Sequence, residues 1–308
     1  MGCRTRVISD VTDPNHQVVT GRGNLSWTTI NLPRLGIKHG ICLKERDKAD
    51  MKGFYQELEE LMDMVKDQLL ERFEIQCNKH NYNFPFLLGQ GVWNDGEKLK
   101  PTDRLRKVWK HGSLSIGFIG LAECLKALIG KHQGESEEAQ KLGLEIIGFM
   151  RKKCDEYAEK YNLNFACLAT PAEGLSGRFT NIDKAIYGKI KGVTDREYYT
   201  NSFHVPVYYN TSITHKIKTE APYHELTNGG HISYIELDGD AAQNVEAFEK
   251  IIRLMKESGI GYGAINHPVD RDPVCGYVGV IGDVCPGCGR HEFESIPIER
   301  LHGSDCEC

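Results

Sequence analysis

Apolar residues recur at helical spacing over residues 49 to 76, where Phe54, Leu58, Leu61, Met62, Val65 and Leu69 are separated by Glu, Asp and Lys. That period predicts a long amphipathic helix. The same spacing predicts a helix over 137 to 162, with Leu142, Ile146 and Phe149 on one face. It predicts another over 242 to 258, with Val245, Phe248, Ile251, Ile252 and Met255, stopped by Gly259. Between them, Asn164 to Ala169, Ser202 to Tyr208 and His231 to Leu237 read as buried or half-buried strands. Helices alternating with strands predict an α/β architecture. Near Asn266-His-Pro-Val-Asp270 periodicity gives way to Gly, Pro and Cys. The expected division is a main body over 1–267 and a small module over 268–308.

Composition narrows the class. The chain has 308 residues, 40% hydrophobic and 26% charged, enough to bury a sizeable core. Its formal charge of -5 gives no broad basic face, so nucleic acid and acidic lipid are disfavoured partners. There is no run of about 18 apolar residues and no apolar signal region at Met1-Gly-Cys-Arg-Thr-Arg, which predicts a cytoplasmic protein without membrane contact. Eleven cysteines in such a chain point to reduced thiols and a metal site rather than disulfide staples. Five of them, Cys275, Cys285, Cys288, Cys306 and Cys308, crowd into the C-terminal module.

Cys285-Pro-Gly-Cys288-Gly is a zinc knuckle: two thiolates on a tight turn whose glycines let backbone amides face sulfur. Asp272-Pro-Val-Cys275-Gly repeats it ten residues upstream with Asp in place of the first cysteine. The ligand set is therefore Cys275, Cys285 and Cys288 with either Asp272 or a tail cysteine; the competing reading is a group of unpaired thiols. Elsewhere, Cys3 follows a glycine in a turn that leaves sulfur reachable. Gly21-Arg-Gly-Asn24 is a polar turn in which Asn24 offers both a donor and an acceptor. Thr170-Pro-Ala-Glu173-Gly-Leu-Ser-Gly-Arg178 sets a carboxylate and an arginine behind a strand, either to hold a substrate or as a plain ion pair. Tyr198-Tyr-Thr-Asn201-Ser-Phe-His204-Val-Pro is rich in polar groups for a strand, although His204 alone reads as a satisfied core histidine. Asn228-Gly-Gly-His231 is a further glycine-rich corner.

In order along the chain, MGCRTR (1–6), GRGNLSWTTINLPR (21–34), HGSLSIGFIGLAE (111–123), ATPAEGLSGRF (169–179), YYTNSFHVP (198–206) and LTNGGHI (226–232), followed by the two-knuckle module, resemble the anaerobic (class III) ribonucleoside-triphosphate reductases. The resemblance implies the C-terminal half of a ten-stranded α/β barrel of glycyl-radical type, with a finger loop and a zinc-ribbon module. It implies that Cys3 becomes a thiyl radical that takes the 3′ hydrogen of a ribonucleotide, after which the 2′ hydroxyl leaves. Asn24 and Glu173 match active-site residues of the family. A weak S–H bond suits reversible hydrogen transfer, and an amide or carboxylate can hold hydroxyls. The implied cofactors are zinc, formate as reductant, and a glycyl radical installed by an S-adenosylmethionine iron–sulfur activase. The implied partners are a ribonucleoside triphosphate, that activase, the missing N-terminal half of the subunit, and a second copy when the subunit is complete.

The chain also departs from the family. It opens at the finger loop, so the first half-barrel and the nucleotide-sensing domain are expected to lie outside it. The radical-glycine motif, roughly Arg-Val-Ser/Thr/Cys-Gly-Tyr, corresponds to Arg300-Leu-His-Gly303-Ser, which keeps Arg and Gly and loses Tyr. Gly303 is the candidate radical position; Gly276, in Val274-Cys-Gly-Tyr277, spells the motif better but belongs to a knuckle, and the remaining alternative is that this chain holds no radical glycine. The competing function is a non-enzymatic split remnant that binds zinc. A pyruvate formate-lyase relative fits less well, because Cys3 has no cysteine neighbour. Cys42, Cys77, Cys124, Cys154 and Cys167 carry no motif and are expected to be small buried hydrophobes.

Overall fold

The computed structural model describes residues 4–7, 9–237, 244–266, 270–279, 281 and 284–291. In chain order the elements are β1 (Asn24–Asn31), α1 (Leu32–His39), α2 (Met51–Cys77), α3 (Arg106–Trp109), β2 (Ser113–Ile119), α4 (Leu121–Ile129), α5 (Glu137–Tyr161) and β3 (Asn164–Ala169). They continue as α6 (Gly174–Tyr187), α7 (Ile213–Leu226), β4 (Ser233–Glu236), α8 (Val245–Glu257), β5 (Gly263–Asn266), β6 (Asp270–Arg271) and β7 (Val278–Gly279). Two compact units result, residues 1–233 with 254–262, and residues 234–253 with 263–308. No helix among the described residues is long and apolar enough to cross a membrane.

The first unit is built on a parallel sheet of order β1-β2-β3. Parallel strands need crossover connections. Here α1 and α2 lead from β1 to β2, and α4 and α5 lead from β2 to β3. β2 is buried at every position, so its sequence, Ser-Leu-Ser-Ile-Gly-Phe-Ile, lacks the alternation of a half-exposed strand. Local chemistry sets the helix boundaries. Asn31 accepts from the Arg34 amide to cap α1, Asp50 caps α2 through the Gly53 amide at 2.9 Å, and Ser136 caps α5. The core joins Phe54, Leu58, Met62 and Leu69 of α2 to Ile116 and Phe118 of β2 and Ile146 and Met150 of α5. Burying one such side chain stabilises the unit by roughly 1.5–3 kcal/mol.

The predicted helices form within about three residues of the expected ends, and Gly259 follows α8 with a φ of +86°. Asn164–Ala169 is the predicted strand, whereas only Ser233–Glu236 of the third run is extended. Ser202–Tyr208 is not a strand. Ser202 sits at φ +40°, outside the extended region, and Pro206 has no amide to donate to a ladder, so this segment is an irregular strap, buried from Ser202 to Pro206 and exposed at Val207 and Tyr208. Of the scattered cysteines, Cys77, Cys124, Cys154 and Cys167 are buried as expected, and Cys42 is half-buried.

Both sheet edges are engaged. Arg72 and Gln76 of α2 donate to the outward carbonyls of Trp27 and Leu25 on β1, at 3.2 and 3.3 Å. On β3, the Cys167 carbonyl accepts from the Gly229 amide at 2.8 Å, and the Ala169 amide donates to Gly230 at 3.0 Å. Covered edges are poor templates for association.

In the second unit, β4 pairs with β5, and β6 forms a short antiparallel pair with β7. α8 leaves Val245 and Ile252 of its apolar stripe exposed.

Candidate functional site

Loops that follow the carboxyl ends of parallel strands are where α/β sheets hold ligands. At that end the strap over residues 199–206 ties three elements together. The Thr200 and Ser202 carbonyls accept from the Gly120 and Leu121 amides after β2, at 2.9 and 3.1 Å. Asn201 Oδ1 accepts from the Ala172 amide after β3 at 2.7 Å. Thr170 packs over β2, where a Cβ on Gly117 would stand 2.0 Å from its Oγ1, and that oxygen lies 3.0 Å from Thr29 Oγ1 of β1.

The charged groups here are deeply buried. Asp183 of α6 is fully buried and accepts from Asn31 Nδ2 at 2.8 Å, Arg34 Nε at 2.6 Å and Tyr199 Oη at 2.8 Å. Burial and the adjacent Asp183 push the Tyr199 phenol far above its ordinary range. Glu123 is 3% exposed; its Oε1 accepts from the Thr200 amide and hydroxyl at 3.0 and 2.6 Å. Its Oε2 has no partner among the described residues, and burial pushes this carboxyl up. Ser202, fully buried in a left-handed conformation, likewise leaves Oγ without a partner among them. Strained, incompletely paired polar residues mark functional sites more often than plain core.

Next to these, Glu220 of α7 accepts from the Val205 amide at 2.9 Å, from Lys216 Nζ, and lies 3.4 Å from His204 Nδ1. Burial pushes Glu220 up, but His204 and Lys216 outweigh it and hold it at about 2. Burial lowers His204. Because the folded value of Glu220 lies below its ordinary 4.5, the stabilisation is complete above pH 4.5 and is lost as pH falls toward 2. Glu220→Gln is therefore expected to cost about 2 kcal/mol at pH 7. The gap to the parent should narrow below pH 4.5 in thermal melts taken across pH; a gap that does not change with pH counts against this pairing.

The sequence-predicted residues fall in different places. Cys3 and Gly303 lie outside the described residues, as do Cys306 and Cys308. Glu173 is exposed at the N-terminus of α6; its carbonyl accepts from Ser176 Oγ at 2.6 Å, and it makes no ion pair with Arg178 among the described residues. Asn24 opens β1 in register with Ser113 and Asn164, donating to Ser115 Oγ at 2.5 Å, with Oδ1 unpartnered among the described residues. It lines a cavity of about 460 Å³ with Leu25, Phe84, Trp93 and Trp109. The level of Asn24 is thus separated from that of Ala169 by five residues of rise, roughly 16 Å. The structure does not bring Asn24 and Glu173 together. Asp183, Glu123 and Ser202 were not singled out in the sequence. The signal available was the density of polar residues in the 198–206 motif.

In the second unit the two knuckles have matching backbone bonds. The Asp272 amide donates to the Tyr277 carbonyl at 2.9 Å, and the Cys285 amide to the Arg290 carbonyl at 2.8 Å. The Gly276 amide donates to the Asp272 carbonyl, and the Gly289 amide to the Cys285 carbonyl, with φ +75° and +72° at the two glycines. Asp272 therefore occupies in the first knuckle the place of Cys285 in the second. The ligand atoms of Asp272, Cys275, Cys285 and Cys288 all lie within 4.8 Å of one another. Tetrahedral zinc, with bonds of about 2.3 Å to sulfur and about 2.0 Å to oxygen, sets sulfur–sulfur and sulfur–oxygen separations of roughly 3.8 and 3.5 Å. Cys275 and Cys285 are 3.6 Å apart and Cys288 is 3.5 Å from Asp272 Oδ2, so the cluster can hold a metal ion such as zinc. Arg290 donates to the same Oδ2 at 3.2 and 3.3 Å, and the Val274 and Cys275 amides fix Oδ1.

Comparison with known proteins follows the same lines. The chain is 32% identical over 308 residues to the anaerobic ribonucleoside-triphosphate reductase of Salmonella typhimurium, covering 97% of this chain and 42% of that protein. It is 30% identical, with the same coverage, to that of Haemophilus influenzae. It thus spans less than half the length of these relatives. Among solved structures, an anaerobic ribonucleotide reductase superposes with a TM-score of 0.66 at 20% identity, covering 90% of this chain and 39% of that one. The Thermotoga maritima enzyme in complex with dATP and CTP gives 0.64 at 19% identity, covering 94% and 44%. These likenesses establish a shared α/β fold over part of the larger chains. The family described as anaerobic ribonucleoside-triphosphate reductase matches residues 1–303, and this chain belongs to that family.

Proposed function

We propose that the chain is the C-terminal part of the catalytic subunit of an anaerobic ribonucleoside-triphosphate reductase, working in the cytoplasm with the N-terminal half of the barrel supplied from outside residues 1–308. The observation that carries this reading is the family match over residues 1–303, joined to the convergence of its 169–179, 198–206 and 226–232 motifs around the carboxyl ends of β2 and β3.

In this reading the Cys3 thiyl radical takes the 3′ hydrogen of a ribonucleoside triphosphate and the 2′ hydroxyl leaves as water with an added proton; formate supplies two electrons and the hydrogen that the 2′ carbon gains, leaving as carbon dioxide, and Cys3 returns the 3′ hydrogen and regains its thiyl radical. Glu173, at the start of α6, holds a substrate hydroxyl. Asn24 enters on the resemblance, as an amide whose unpartnered Oδ1 accepts from a ligand. Gly303 stores the radical that a radical S-adenosylmethionine activase installs, and the complete subunit pairs with a second copy. Asp272, Cys275, Cys285 and Cys288 bind one zinc ion within the 268–308 module. Zinc supplies a fixed tetrahedral centre for the knuckles and takes no part in the reaction.

The test is reconstitution. The chain alone should produce no deoxyribonucleotide, because half of the wall that shields a radical from water and oxygen is absent. Adding the N-terminal half, the activase, formate and substrate under strict anaerobiosis should restore turnover. Turnover by the isolated chain, or none in the complete mixture, contradicts the proposal. One observation favours a second reading, a zinc-binding remnant without activity: Arg300-Leu-His-Gly303-Ser lacks the tyrosine of the radical motif. Failure of the complete mixture alongside normal zinc binding selects that reading.

A further inference from the structure

The buried residues of α6 are Ser176, Thr180 and Asp183, which share one face of the helix and are all polar. Leu175, Phe179 and Tyr187 are half-buried, and Ile182 and Ile186 are exposed. Helices draw most of their stability from an apolar face packed on neighbours, and one of 14 residues is marginal by itself in water. Polar contacts therefore decide where α6 docks. Ser176 and Thr180 turn their hydroxyls back onto the Glu173 and Ser176 carbonyls, at 2.6 and 2.9 Å. Of the three, Asp183 reaches other elements. Its Oδ2 accepts from Asn31 Nδ2 at the end of β1 and from Tyr199 Oη at the start of the strap, both at 2.8 Å, and its Oδ1 accepts from Arg34 Nε of α1 at 2.6 Å. Asn31 also caps α1 through its own Oδ1, so one amide holds both helices. Three donors, one of them charged, are what lets a fully buried carboxylate persist. Beyond Asp183, Lys184 Nζ donates to the Arg196 carbonyl at 3.0 Å, and Tyr187 packs on Ile37, Ala127 and Val193. Before α6, Asn201 Oδ1 accepts from the Ala172 amide at 2.7 Å. The segment from Glu173 to Ile182, roughly 15 Å long, thus lies between two anchors that both come from residues 199–201.

We propose that Asp183 is the latch that docks α6 at the carboxyl end of the sheet, and that Asp183, Asn31, Arg34 and Tyr199 are positioning residues for the Thr170–Glu173 turn and the nucleotide it holds. The role in nucleotide binding rests on the reductase reading above; the docking of α6 does not. With the latch made, the turn is presented in one orientation. With it broken, α6 is tied mainly at its far end, and a ligand finds the turn in place in only a fraction of molecules. Apparent affinity then falls by that fraction, while the chemistry of the bound state is unchanged.

The experiment measures amide hydrogen exchange by mass spectrometry in the full chain, comparing peptides from α6 with peptides from α5 as internal reference. Asp183→Asn keeps the size of the side chain, leaves Arg34 without its counter-charge and turns an N–H toward groups that themselves donate. It is expected to speed exchange in α6 at least about a hundredfold and to leave α5 unchanged. If exchange rises equally in α5, the fold has been lost and Tyr199→Phe decides. That variant removes one donor, keeps the ion pair and is expected to speed exchange in α6 about tenfold. No change in α6, or in the deciding variant a change no larger than that of α5, overturns the latch. In the reconstituted subunit the folded variant should raise KM for CTP at least about threefold and leave kcat within about twofold. An unchanged KM, or a kcat lowered by more than KM is raised, overturns the positioning role. The exchange arm needs no turnover, so its failure is distinguishable from failure of the reductase reading, which shows as absent activity in the parent mixture.

Discussion

Replacing Cys3 by Ser in the reconstituted subunit is expected to reduce deoxyribonucleotide formation to background while folding and zinc content stay intact. Serine keeps size and polarity, but its O–H bond is too strong for a glycyl radical to break, so the hydrogen-abstracting radical never forms. The control is internal. Cys77, Cys124, Cys154 and Cys167 are buried, with the Cys154 and Cys167 thiols bonded to each other, and serine there should cost only stability, roughly 1–3 kcal/mol each. Cys42, half-buried, should cost less. Chromatographic assay of product under anaerobiosis separates the two classes. Retained turnover in Cys3→Ser removes the proposed chemistry; loss of turnover in a well-folded variant at one of the other five means the radical cysteine has been misassigned.

Stripping the metal is the second large effect. The chain should carry close to one zinc per molecule when purified without added metal, and Cys285→Ser should abolish it. Structural zinc sites bind with roughly 10–16 kcal/mol of apparent free energy, and binding there is folding. A β6–β7 pair of two residues per strand buries too little to persist without the ion. Asp272→Ala should weaken the site rather than erase it, since three thiolates remain, and should release Arg290 from its bond to Oδ2. Elemental analysis with thiol titration checks both. No metal, with all thiols freely titratable in the folded chain, contradicts the assignment.

How far the sequence disclosed this structure depended on periodicity and on packing. The long helices were legible because α2 and α5 each have one buried face, and the knuckles because their chemistry is local in sequence. β2 was not read as a strand because it is buried on both faces and shows no alternation. α7 was missed for the opposite reason: it buries Thr219, Glu220 and His224 and carries Pro222 within it, so its pattern is neither apolar nor periodic. The 202–208 segment has the apolar content of a strand, but Ser202 and Pro206 bend it into a strap. The same limit applies to the site. The motifs identified the family, but the level of Asn24 at one end of the sheet and Glu173 beyond the other, and the convergence of Asp183, Glu123 and Ser202, follow from strand register that no local pattern encodes. The described residues contain three parallel strands, and the ten-stranded barrel stays part of the proposal.

The central claim is that this chain carries the radical-bearing part of a reductase. Electron paramagnetic resonance of the reconstituted subunit after anaerobic activation tests it most directly. A glycyl radical signal that disappears in Gly303→Ala and persists in Gly276→Ala is the predicted result; no signal from the complete mixture, or a signal indifferent to Gly303→Ala, would contradict it.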